Sequence, residues 1–98
     1  MVDLAKVTAD DFRPFLEQDF LLRAGETQIS LRLAEVEERR VAVKGGRQPF
    51  SLLFQGPASP AFTQGNFPLQ HERLGTLEVF LVAIAGNASS RTYEAVFS

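Results

Sequence analysis

Residues 20–33 read Phe20-Leu21-Leu22-Arg23-Ala24-Gly25-Glu26-Thr27-Gln28-Ile29-Ser30-Leu31-Arg32-Leu33, and their period decides the fold. Phe20 and Leu22 stand two apart; Ile29, Leu31 and Leu33 alternate with Gln28, Ser30 and Arg32. Successive side chains of a strand point to opposite faces, so this is a hairpin with one dry and one wet face, turning at Ala24-Gly25-Glu26. At 34–36 the phase slips: Val36 is even-numbered, whereas the preceding apolar positions are odd. A β-bulge or a strand end there accounts for the slip.

Downstream, the same period returns between turn residues. Pro49-Phe50-Ser51-Leu52-Leu53-Phe54-Gln55 reads as a strand ended by Gly56-Pro57, and a turn-rich stretch over 58–65 leads to Phe67-Pro68-Leu69-Gln70-His71. Pro68 cannot donate to a ladder, so this strand is expected at a sheet edge. Residues 77–85 are apolar on both alternating sets apart from Glu78, as in a strand covered on both faces. Gly86-Asn87-Ala88-Ser89-Ser90 is a turn, and 92–97 is the last strand. No βαβ spacing is present, so the sheet is expected to be antiparallel.

Upstream, a short helix is expected. Thr8 suits an N-cap, Asp10 and Asp11 suit the first turn, and Val7 can staple onto Phe12. Phe12, Phe15 and Leu16 share one helical face. Pro14 removes a helical hydrogen bond and disfavours the α conformation at Arg13, which predicts a kink or split there. The predicted architecture is therefore mainly β: a single small antiparallel β-barrel or sandwich of about six strands. One domain spans 1–98, with a helical cap over about 8–18 and a β core over about 20–97.

Composition bounds function. A chain of 98 residues that is 45% hydrophobic can bury one real core, and without cysteine it has no disulfide staple. Nine of the ten aromatic residues are Phe. Phe has no polar tip, so these residues are expected in the core. The first dozen residues contain Asp3, Lys6, Asp10 and Asp11 and lack the apolar run of a signal peptide. The longest apolar run, 79–85, is seven residues, far short of the ~20 of a membrane-spanning helix. A net charge of −2 disfavours nucleic acid as a partner. No membrane association and a cytoplasmic location are expected.

Phe50-Ser51-Leu52-Leu53-Phe54-Gln55-Gly56-Pro57, Gln64-Gly65-Asn66-Phe67, Leu69, His71, Leu74-Gly75 and Phe80-Leu81-Val82 together resemble an uncharacterised family of small bacterial domains. Tyr93-Glu94-Ala95-Val96-Phe97 and the acidic start at Ala9-Asp10-Asp11-Phe12 resemble it too. The likeness covers nearly the whole chain. It implies a structural or assembly role beside phage-tail-like proteins, and incorporation into such a particle. Ala83 stands where members of that family often carry Pro, which lets this strand continue.

Chemistry-bearing constellations are sparse. His71, the one histidine, sits beside Glu72 and Arg73, but no serine lies in a nucleophile motif. The expected role is a strand-end histidine whose ring packs on Phe67 or Leu69. Glu35, Glu37 and Glu38 lack the pattern of a calcium loop, and Lys44-Gly45-Gly46-Arg47 lacks the spacing of a phosphate loop. No catalytic residue, cofactor or metal is therefore expected. Residues 37–48 are charged, contain a glycine pair and read as a mobile loop. Arg39, Arg40, Lys44 and Arg47 concentrate four cations there, against five acids in residues 1–20. Such patches steer association, so these four are the candidate protein-binding residues, toward a protein partner or another copy of the chain. The function expected is a non-enzymatic structural or interaction module. The alternative is a small-molecule-binding barrel with a pocket formed by His71 and the loop at 58–65.

Overall fold

The computed structural model describes residues 6–39, 48–59, 62 and 64–97. An N-terminal helix α1 (Ala9–Phe12) tightens into a 3-10 turn over Arg13–Phe15. Six strands follow: β1 (Asp19–Ala24), β2 (Thr27–Glu38), β3 (Phe50–Pro57), β4 (Gln64–His71), β5 (Gly75–Gly86) and β6 (Ser90–Phe97). They close an antiparallel barrel in the order β1-β2-β3-β6-β5-β4. Of the two expected architectures, the barrel is the one adopted.

Alternation builds the interior. Phe20 and Leu22 of β1, Ile29, Leu31 and Leu33 of β2, Phe50, Leu52 and Phe54 of β3, and Leu77, Val79 and Leu81 of β5 are all buried. Tyr93, Ala95 and Phe97 of β6 complete the lining. A barrel this narrow is filled by its own side chains rather than hollow. Close approach of strands is part of the fill: a Cβ on Gly56 would lie 2.5 Å from Leu31 Cδ2.

The phase slip in β2 is a bulge. Pairing with β3 shifts between Leu33 and Glu35. The strand does not end there; it runs on with Glu37 opposite Ser51 and Glu38 opposite Phe50. Residues 37 and 38 therefore belong to β2 rather than to the expected loop, whose base is closed by the Arg39 N–H donating to the Pro49 carbonyl at 2.8 Å.

The N-terminal segment plugs one barrel end. Asp11 accepts the Thr8 N–H at 2.8 Å, closing the first turn. Val7, Ala9 and Phe12 are buried, and the Phe12 ring sits 5.9 Å from Phe50 and 5.9 Å from Phe97. Helix α1 stops at Phe12, as Pro14 requires. Arg13 departs from expectation, keeping αR angles (φ −54°, ψ −37°). The missing N–H of Pro14 is accommodated by i→i+3 bonding, with Leu16 N–H on the Arg13 carbonyl at 3.2 Å.

β4 is not an edge strand, because it bonds to both β5 and β1. The seam with β1 is short, however: Leu21 faces Gln70 and Leu22 faces Leu69, and pairing stops one residue before Pro68. With no N–H to donate, proline is found where a ladder ends. β5 and β6 also part. Their pairing runs from Gly86–Arg91 to Val82–Glu94; beyond that point β5 pairs with β4 alone and β6 with β3 alone.

Candidate functional site

His71 ends β4, and Glu72, Arg73 and Leu74 turn the chain into β5. Gly75 closes this three-residue loop with φ +79°, a conformation that residues bearing a Cβ rarely adopt. The imidazole is 8% exposed and lies between two rings, Phe20 at 4.7 Å and Phe15, edge-on, at 4.8 Å. Among the described residues these two rings, and not the expected Phe67, are its aromatic neighbours. Phe15 arrives with the N-terminal cap, whose docking on the barrel end nothing in the local pattern around His71 announces.

Both ring nitrogens are engaged. Nδ1 accepts the N–H groups of Arg73 at 3.0 Å and Leu74 at 3.3 Å. A nitrogen that accepts twice carries no proton, so the proton is on Nε2, which donates to Gln18 Oε1 at 2.7 Å. Gln18 is itself fixed, its carbonyl taking the Leu33 N–H at 3.0 Å. The neighbouring Glu17 N–H donates to the Leu33 carbonyl at 2.8 Å, and Glu17 adopts φ 70°, a strained conformation for a residue with a Cβ. His71 therefore anchors the cap to the β4–β5 turn.

Two solvent-open depressions meet at this corner. One, of about 490 Å³, is lined by Glu17, Gln18, Asp19, His71, Glu72 and Arg73. The other, of about 400 Å³, is lined by Leu21, Gln70, His71, Glu72, Gly75 and Thr76. Neither lining includes a described residue of the loop at 58–65, which enters β4 at its first residues, while His71 is the last. Among the described residues no group of three or more His, Cys, Asp or Glu side chains is placed to hold a metal ion. No helix among them is long and apolar enough to cross a membrane.

A second surface was read differently from the sequence. β5 is fully buried on one face only. Its inward residues Leu77, Val79 and Leu81 are at most 5% exposed, but on the outward face Phe80 is 49% exposed and Ile84 50%. Val96 of β6 is 58% exposed, and Phe80 and Val96 lie two residues beyond the last β5–β6 pair, flanking the place where the strands part. Half-buried Val82 and Leu53 continue the patch, each opposite Glu94. Contiguous exposed apolar surface of this kind marks contact sites. Phe80 is the exception to the core role expected of phenylalanine; Phe12, Phe20, Phe50, Phe54 and Phe97 fulfil it.

The surface around the patch is acidic. Glu35 is opposite Leu53, Glu37 is opposite Ser51, and Glu78 precedes Phe80 by one step on the same face. Among the described residues, the outward positions of β3, β5 and β6 hold no Lys or Arg. Of the four candidate cations, Arg39 is exposed at the end of β2, and Arg40, Lys44 and Arg47 lie outside the described residues.

A family model described as a domain of unknown function, DUF6916, matches residues 7–97. No curated protein and no solved structure matches the chain.

Proposed function

The chain belongs to the DUF6916 family, and since that family has no assigned function we propose, from the chain's own surface, that it is a non-enzymatic protein-interaction module. Its role would be structural, as an accessory of a phage-tail-like assembly, and its docking surface is the outward face of β5 and β6. The observation that carries this is Phe80, Ile84 and Val96 standing half exposed together on a barrel whose interior is already filled. Burying a large apolar side chain contributes about 1.5–3 kcal/mol, which this chain leaves for a partner to gain. The test is to replace Phe80 and Val96 by Asn and compare what the folded variant and the wild type retain from native extract. The variant should lose a partner that the wild type holds. Identical retention at an unchanged melting temperature would rule out docking through this face.

A small-molecule site at the His71 corner is the second reading, supported by the two depressions and the strained Glu17 at their rim. Glu17, Asp19 and Glu72 would select a small cation there. Chemical shifts of Glu17 and Glu72 that stay fixed on addition of a polyamine would remove it.

A further inference from the structure

We infer that the occupant of the β5–β6 face is the 39–47 segment of a second copy of this chain, giving head-to-tail association; this rests on docking through that face.

Charge complementarity selects the occupant. The face presents Leu53, Phe80, Val82, Ile84 and Val96 with Glu35, Glu37, Glu78 and Glu94 among and beside them. Its partner must therefore bring apolar side chains interspersed with cations. Residues 39–47 read Arg-Arg-Val-Ala-Val-Lys-Gly-Gly-Arg: four cations around Val41, Ala42 and Val43. No other stretch of the chain combines these in so short a span. Two copies meeting face to face would oppose glutamates to glutamates, which disfavours a two-fold contact through this surface. Phe80, Ile84 and Val96 are half exposed, and a contact between copies would bury them. One copy gives its basic segment and the next its acidic apolar face. Such a contact is heterologous, and repetition builds a ring or a filament.

The experiment is sedimentation velocity on the intact protein and two variants. One variant carries Arg39→Glu, Arg40→Glu, Lys44→Glu and Arg47→Glu; the other carries Glu35→Lys and Glu94→Lys. The wild type should self-associate as concentration rises toward about 1 mM, and less so as salt is added. Each variant alone should associate at least about tenfold more weakly. Mixed in equal amounts, they should form a 1:1 dimer that grows no further, since the first supplies an intact face and the second an intact segment. Should the Glu94 change impair folding, Phe80→Asn with Val96→Asn takes its place in the same mixture. A wild type that stays monomeric throughout, or a mixture of folded variants no larger than either alone, overturns the inference. If the wild type is monomeric but loss of Phe80 and Val96 still abolishes capture of another protein, the face docks and only its occupant was wrong.

Discussion

The two walls of this barrel are built by the same alternation and finished differently. On the β1–β2 wall the outward residues are Asp19, Leu21 and Arg23 beside Arg32, Ser30 and Gln28, and every apolar residue but Leu21 turns inward. Two of its charges are locally matched. Asp19 faces Arg32, whose guanidinium reaches Glu17 at 3.6 Å and Gln55 Oε1 at 2.6 Å. On the β5–β6 wall the outward residues are apolar, acidic or hydroxyl-bearing, with no cation among those described. The first wall is complete in water; the second has both unburied apolar surface and unmatched charge. Folding needs one buried face per strand, so it explains the first wall fully and only half of the second. A surplus of this sort is what an intermolecular contact requires.

The sharpest way to break the comparison is to truncate neighbouring residues on opposite faces of β5. Leu81→Ala, in the closed interior, should cost about 2–5 kcal/mol in urea unfolding. Phe80→Ala, one residue away, should cost less than about 1 kcal/mol, because half of its surface is already in water. Equal losses would mean that Phe80 is a structural residue and its wall is no docking face.

Next in size is Gly56→Ala on β3. The added methyl meets Leu31 Cδ2 in a filled interior, and overpacking should cost about 1–3 kcal/mol without altering association. A neutral result would reveal slack between the walls.

His71→Gln tests whether the barrel end belongs to the docking wall. Loss of the ring leaves the Arg73 and Leu74 N–H groups and Gln18 without their acceptor and donor, and should cost about 1–2 kcal/mol. Self-association should be unchanged; weakening at an intact fold would extend the interface to the His71 corner.

The smallest effect is expected on the polar wall. Arg32→Ala removes contacts among half-exposed side chains and should change stability by no more than about 1 kcal/mol, with no change in association. A measurable loss of association would show that the two walls share the work.

The sequence by itself determined the β period, the hairpin at 20–33, the bulge after Leu33 and the division of the N-terminal helix at Pro14. Each depends on neighbours within a few residues, through side-chain alternation or a missing N–H. It also displayed the double-sided apolar pattern of 77–85, the Phe-rich core and the basic run at 39–47. Only the tertiary structure decided what those patterns face. Closure of the barrel through two residue pairs made β4 an interior strand despite Pro68, with Gln64 at the opposite end of β4 from His71. The hydrogen bond from His71 to Gln18 joins residues 53 apart, and no local pattern encodes which element will cap a barrel. In the same way, alternation tells that Phe80 and Leu81 lie on opposite faces of β5, but only the folded barrel tells that one of those faces stays half exposed. The physical reason is the same throughout: periodicity is a property of the strand, and coverage is a property of everything packed against it.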